Sequence, residues 1–105
     1  MKSTIELVSF KLTSTANEAE FYALQPALNE WVAAQPGFHY RTLVKDNDHG
    51  FLDIVHWASL DAAKTAAEDV MSQHFMAQMM PMIDAESVNM RHILACSEIG
   101  GSGSA

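Results

Sequence analysis

The feature that most constrains the fold of this chain is the order in which β-prone and helix-prone segments follow one another. Apolar residues recur at intervals of three and four in two stretches, and β-prone residues dominate four others. The order along the chain is 4–12 strand, 15–34 helix, 38–45 strand, 51–57 strand, 59–80 helix and 87–97 strand. This βαββαβ order predicts an α+β, ferredoxin-like fold, in which a four-stranded antiparallel sheet carries both helices on one face.

Local signals set the boundaries of the helices. Thr15 and Glu18 have the spacing of a capping box, which predicts the start of the first helix, and Pro26 should kink that helix. Pro36 and the glycine after it should end it, and Ser59 should cap the second helical stretch.

The third strand has apolar residues on both of its faces. Phe51, Val55 and Trp57 fall on one side, whereas Leu52 and Ile54 fall on the other. Because two helices on one side cover only one face of a sheet, the second face needs another cover. A second copy of the chain meets this need, so the sequence predicts a homodimer that packs sheet against sheet.

Charge and composition narrow the class of protein and of partner. Six Lys and Arg against thirteen Asp and Glu give a net charge of −7, which argues against nucleic acid as a partner. No apolar run approaches a membrane span and no secretory signal is visible, so a membrane is not an expected partner and a cytoplasmic location is expected. Residues 1–99 should form a single domain, and 100–105 should form a flexible tail or linker scar.

Several short runs together resemble a known family. They are Pro36-Gly37-Phe38, the strand that ends at Trp57, the run 58–63, His74-Phe75 and Pro81. In these runs the chain resembles the antibiotic-biosynthesis-monooxygenase-like family of dimeric α/β barrels, over about residues 4 to 97. The resemblance implies two sheets packed into a barrel, and in each subunit a ligand pocket between sheet and helices that contains Trp57. Members of this family include cofactor-free oxygenases of phenolic or quinol substrates, haem-degrading enzymes and proteins without known activity.

The haem-degrading branch is matched at Trp57 alone. Its other two functional positions, an Asn on the first strand and a His after the Trp, fall near Ser9 and Met79. Neither side chain serves the same role, so haem is not an expected cofactor, and no other cofactor is expected. The five histidines show no short ligand spacing, so a metal site is not expected either.

Asp53 interrupts the apolar strand on the side of Trp57. A buried carboxylate is costly unless it is paired, and Arg41 lies opposite Asp53 in one hairpin register, whereas Thr42 does so in the other. Asp53 is therefore either half of a structural ion pair or a catalytic base.

The remaining candidates for the pocket are aromatic residues, histidines and methionines. His39 and His74 are candidate general bases, because histidine titrates near neutral pH. His56 and His92 are interpreted instead as satisfied interface histidines. The residues proposed to contact a substrate are Trp57, Tyr22, Tyr40, Phe75 and Met79.

Three functions fit this sequence. The first is a cofactor-independent monooxygenase of a small phenol-like or quinol-like aromatic, the second is a non-catalytic barrel that binds a small molecule, and the third is a purely structural dimer. A His, a Tyr and an acid converging in one pocket would favour the first function, and an apolar pocket without titratable groups would favour the second.

Overall fold

The computed structural model describes residues 2–46 and 50–100. Four strands and four helices follow one another along the chain within these ranges. They are β1 (Thr4–Lys11), α1 (Glu18–Ala23), α2 (Gln25–Ala33), β2 (Phe38–Lys45), β3 (Gly50–Trp57), α3 (Leu60–Val70), α4 (His74–Met79) and β4 (Asn89–Leu94). Two short 3₁₀ turns, Met80–Met82 and Ala85–Ser87, connect α4 to β4.

The strands form one antiparallel sheet in the order β2-β3-β1-β4. The central strand β1 places Glu6 opposite Val55 of β3 and opposite His92 of β4. The helices lie on one face of this sheet, where α3 contacts both β1 and β3. The predicted ferredoxin-like fold, with a four-stranded antiparallel sheet and helices on one face, is confirmed.

The first predicted helix is two helices, and its predicted cap is wrong. The side chain of Asn17 accepts a hydrogen bond from the backbone N–H of Glu20 at 3.2 Å, so Asn17 and not Thr15 caps α1. The helix breaks at Leu24, because Pro26 lacks the N–H that a continuous helix needs and fits instead in the first turn of α2.

Other boundaries follow the sequence more closely. Ser59 caps α3 as predicted, since its Oγ accepts from the N–H of Ala62 at 3.1 Å. The last strand is shorter than predicted because a 3₁₀ turn takes up Ser87, and β4 begins at Asn89. The polar segment 46–50 between the second and third strands is predicted to form a hairpin loop, and its residues 47–49 lie outside the described residues. Residues 101–105 of the predicted tail 100–105 also lie outside them.

Gly37 joins α2 to β2 in a conformation that other residues rarely adopt. Its φ is +81°, and a Cβ atom built there would lie 2.8 Å from the Cβ of Ala62. Glycine is required both by the left-handed backbone and by the close approach of α3.

The buried side chains form two clusters between sheet and helices. The first contains Phe10, Phe21, Leu28, Phe51, Phe75 and Met79. The second contains Val32, Val55, Trp57, Ala63 and Ala66. The small residues of α3 let the second cluster pack tightly, whereas a space remains between the two clusters.

The opposite face of the sheet carries apolar side chains without a covering layer in the monomer. Ile5, Leu7, Leu52 and Ile54 alternate there with the inward residues and are half-buried, and Ile93 is 37% exposed. Within the described ranges, no helix is long and apolar enough to cross a membrane.

Candidate functional site

The space between the two clusters is a cavity of about 230 Å³ over the helix-facing side of the sheet. Both clusters contribute to its walls, which are largely apolar. Representative lining residues are Phe10, Phe21, Leu28, Val55, Ala66 and Met79. The lining residues that are also exposed are Met71, Met80, Val88 and Met90, so the cavity opens between the methionine-rich segment and β4.

A cluster of hydrogen-bonded polar groups centred on Arg41 borders the cavity. Nε of Arg41 donates to Oδ1 of Asp53 at 3.0 Å, and its Nη2 donates to Oδ2 at 3.1 Å. The same guanidinium donates to Asn29 Oδ1 at 2.7 Å and to Gln25 Oε1 at 2.9 Å. The Arg41 side chain is only 7% exposed, and both oxygens of Asp53 are occupied.

The predicted pairing of Asp53 with Arg41 is confirmed, but neither predicted register is correct. Leu43 lies opposite Asp53, and Arg41 lies opposite Val55. The ion pair forms diagonally across the strands, because diagonal neighbours lie on the same face within reach of a long side chain.

A second polar pair is formed by Glu6, which lines the cavity, and His92 on the neighbouring strand. Nε2 of His92 lies 2.9 Å from Oε2 of Glu6, directly across the β1–β4 pairing. Glu6 lines the cavity and is 9% exposed. Burial raises the pKa of the Glu6 carboxyl above its usual range, although the hydrogen bond and charge of His92 oppose this effect.

Sequence reasoning missed Glu6 and interpreted His92 as an interface residue. The sequence contained the necessary information. Glu6 is two residues from Val8 and four from Phe10, so it lies with them on the inward, apolar face of β1. His92 likewise shares the inward face of β4 with Met90.

Trp57 lies at the end of β3 and lines the cavity. It is 1% exposed, and Phe38 packs against it edge to face with ring centroids 5.8 Å apart. Its Nε1 is the buried side-chain polar atom that has no hydrogen-bond partner among residues 2–46 and 50–100. Since buried donors are nearly always paired, this N–H is suited to an acceptor that a ligand would supply.

Of the other predicted contact residues, Met79 lines the cavity and three do not. Phe75 is buried in the first cluster, where it packs against Trp31. Tyr22 is 44% exposed and donates to Oε1 of Glu18 at 3.0 Å, because its position on the short helix α1 directs it outward. Tyr40 is 49% exposed and packs against His56 on the opposite face of the sheet.

The two histidines predicted as general bases also lie outside the cavity lining. His74 is exposed at the start of α4. His39 is exposed at the irregularity in β2, with its Nδ1 3.1 Å from Oγ of Ser3. The backbone N–H of Ser3 in turn donates to Glu98, which lowers the pKa of that carboxyl.

The lining residues do not fit haem. Among the described residues, the lining includes no histidine, cysteine or tyrosine side chain to ligate iron, and methionine, which it does include, ligates haem iron together with a histidine. The cavity is also smaller than the roughly 300–1,000 Å³ of sites for drug-sized ligands, a class that haem matches or exceeds. In the part of the chain that the structure describes, no three His, Cys, Asp or Glu side chains cluster as a metal site would require.

Comparison with known proteins identifies the fold. No protein-family profile matches the chain, and no curated protein matches it in sequence. Solved structures do match. The cofactor-independent oxygenase SnoaB from Streptomyces nogalater is 19% identical with a TM-score of 0.61, and the match covers 95% of this chain and 97% of that protein.

Two further structures are similar over comparable lengths. The haem degrader MhuD from Mycobacterium tuberculosis, solved with two haems in its active site, is 14% identical with a TM-score of 0.71, over 92% of this chain and 99% of that one. A dimeric ferredoxin-like protein from an uncultured marine organism is 14% identical with a TM-score of 0.66, and the match covers 97% of this chain and 95% of that one. The chain has the fold of these proteins. The resemblance found in the sequence is supported. The oxygenase and the haem degrader share this fold but differ in activity, so the reaction has to be argued from the site.

Proposed function

We propose that this protein is a cofactor-independent monooxygenase that acts on a small phenol-like or quinol-like aromatic. The observation that carries the proposal is that Trp57 lines an apolar cavity and that its buried indole N–H has no hydrogen-bond partner among the described residues. A hydroxyl or carbonyl oxygen on a flat ring would accept this hydrogen bond while the ring packs among the apolar side chains. The similarity to the oxygenase SnoaB agrees with this proposal.

The size of the cavity limits the substrate. An apolar protein cavity of about 150 Å³ is large enough to bind benzene. At about 230 Å³, the present cavity suits a substrate of one or two rings, with larger substituents extending past Met71 and Met90 at the opening.

The proposed reaction needs no reductant besides the substrate. A base removes the phenolic proton, and the phenolate passes one electron to O₂, which gives a phenoxyl radical and superoxide. These combine at a ring carbon that carries hydrogen, and the resulting peroxide anion takes the proton back from the base to form a hydroperoxide. Loss of water then breaks the O–O bond and the C–H bond and leaves a quinone, so that phenol and O₂ become quinone and water. The protein contributes binding, orientation and the base.

A second function, ligand binding without turnover, is favoured by one observation. Both oxygens of Asp53 accept hydrogen bonds from Arg41, and neither tyrosine and neither of the histidines predicted as bases lines the cavity. In this alternative the same pocket holds the same class of aromatic molecule without activating it.

Binding and turnover can be tested separately. Saturable quenching of tryptophan fluorescence by quinols or polyphenols measures binding, and the Trp31→Phe variant isolates the signal of Trp57. Trp57→Phe keeps an aromatic ring but removes the N–H, so the affinity should fall by the value of one hydrogen bond, about 0.5–1.5 kcal/mol. Oxygen uptake with a bound quinol supports the oxygenase, and binding without uptake supports the alternative. Unchanged affinity in Trp57→Phe would remove the main support for both.

We also propose that the chain forms a homodimer through the uncovered face of its sheet. The half-buried aliphatic residues there, Ile5, Leu7, Leu52 and Ile54, form an apolar surface of the kind that marks an interface. The similarity to a dimeric ferredoxin-like protein supports this arrangement. Sedimentation of the wild type tests it, and a monomer at micromolar concentration would refute it.

A further inference from the structure

The carboxylate of Glu6 lies in the cavity wall, and His92 bonds it from the neighbouring strand β4. Glu6 accepts from one partner, His92, at 2.9 Å, and its side chain is 12% exposed. A buried carboxylate on an apolar face costs free energy unless its surroundings compensate it, and a single histidine is a weak compensation. Such a costly group in a cavity wall is typical of a functional site.

The surroundings of Glu6 keep its carboxylate basic. His92 faces it from β4, and Asp53 faces it from β3 with a charge that further raises the Glu6 pKa. Arg41 is turned toward Asp53, Gln25 and Asn29, and α3 contributes Ala66 and Ala67 to the cavity wall. The carboxylate of Glu6 is therefore without a guanidinium partner, whereas that of Asp53 has one.

This difference separates the two acids by role. Both oxygens of Asp53 accept hydrogen bonds from Arg41, so protonating Asp53 would break a bidentate ion pair. Glu6 has one oxygen bonded to His92 and lines the cavity, which leaves its second oxygen for a ligand.

We infer that Glu6 is the catalytic base that takes the hydroxyl proton of a ligand in the cavity, and that His92 is the positioning residue that holds Glu6 by donating from Nε2 to Oε2. The inference rests on the proposed function, which it deepens by naming the base. The ligand O–H bond breaks and an O–H bond forms on the second oxygen of Glu6. The Nε2–H of His92 goes on donating to Oε2, and no electron changes hands. The net charge of ligand, Glu6 and His92 together is unchanged.

His92 holds Glu6 from the edge of the sheet. It lies on the edge strand β4, its side chain is 20% exposed, and it is two residues from Met90 at the opening of the cavity. Proton transfer from the ligand to Glu6 gives a bound phenolate without moving net charge into the apolar cavity.

The pH dependence of oxygen uptake tests this inference directly. Quinol binding is read separately by tryptophan fluorescence. With the quinol bound, oxygen uptake by the wild type should fall at low pH as Glu6 becomes protonated, and uptake by Glu6→Gln should be lower by about 10²–10⁴-fold and should lack this fall at low pH. His92→Leu, which removes the donor to Oε2, should lower oxygen uptake, and His92→Gln, whose amide can donate to Oε2, should restore part of it.

A matched control removes a similar pair elsewhere. Glu98 and His56 are another acid and histidine, 3.5 Å apart and outside the cavity lining, so Glu98→Gln should leave oxygen uptake and its pH profile unchanged. If Glu6→Gln binds the quinol and takes up oxygen at the wild-type rate with the wild-type pH profile, the inference is overturned and the proposed function stands. If the wild type binds the quinol without oxygen uptake, the proposed oxygenase function fails and the inference fails with it.

Discussion

Removing the charge of Asp53 should destabilise the fold strongly, although the residue lies beside a cavity. In the Asp53→Asn variant, Arg41 keeps its full charge and is 7% exposed, and its contacts to Gln25 and Asn29 are to neutral amides. The new amide offers one oxygen as an acceptor, but its NH₂ group faces a guanidinium donor. The variant therefore loses one hydrogen bond and gains an uncompensated, nearly buried charge.

The size of the loss follows from the two bonds that the carboxylate makes. Hydrogen bonds to charged groups contribute about 1.5–3 kcal/mol each, and one neutral bond of about 1 kcal/mol can re-form. Asp53 is 21% exposed, so water compensates part of the loss, and we expect about 2–3 kcal/mol less free energy of unfolding. For a domain of this size, 1 kcal/mol corresponds to roughly 4–8 °C in Tm.

Urea denaturation followed by circular dichroism measures this loss. Glu18→Gln is the control, because it removes the exposed ion pair with Lys45, whose two side chains are 41% and 44% exposed, and it should have a much smaller effect. If Asp53→Asn lowered the free energy of unfolding no more than Glu18→Gln does, the Arg41 cluster would not stabilise the fold. Asp53 and Glu6 could then not be assigned different roles on the basis of the Arg41 ion pair.

Three further predictions follow from the geometry. Gly37→Ala should cost about 1–3 kcal/mol in urea denaturation, because it forces a side chain to φ +81° and against Ala62, whereas Gly100→Ala, with open space around it, should cost nothing measurable. Ile54→Lys should abolish the dimer in analytical ultracentrifugation, because it places a charge in the proposed apolar interface; a dimer that persists would contradict the sheet-face arrangement. The raised pKa of Glu6 means that the folded state binds this proton more tightly than the unfolded state, so the contribution of Glu6 to stability is complete below its ordinary pKa of 4.5 and is lost as pH rises through the folded pKa. Glu6→Gln should accordingly gain stability relative to wild type as pH rises above 4.5, and parallel stability curves for the two proteins would contradict the shift.

The order of elements was predictable because each element carries its own local signal. Ser59 caps α3 at the position that its residue type predicted. The pairing of β2 with β3 was expected because two β-prone runs lie on either side of a short polar segment. The break at Leu24 was predicted only as a kink. A proline removes one hydrogen bond in either case, and whether the helix bends or restarts depends on tertiary packing rather than on the proline.

The site was harder to predict, because it depends on strand register. Arg41 reaches Asp53 diagonally, which no rule for directly opposed residues would give. The Glu6 and His92 pair requires strands that are far apart in sequence to align to the residue. Tyrosine is a residue type that is common in binding sites, but the hydroxyl of Tyr22 donates a hydrogen bond to Glu18 within its own short helix, outside the cavity.

Isotopically labelled O₂ tests directly whether an aromatic molecule bound in the cavity is oxidised by O₂. Purified protein is incubated with a phenol or quinol that quenches the Trp57 fluorescence, and the product is analysed by mass spectrometry. We expect one labelled oxygen atom in the product, formed without added flavin, haem or metal. We also expect a much slower reaction in Glu6→Gln. Saturable binding with no incorporation of label above the protein-free control would contradict the oxygenase and assign the protein to ligand binding.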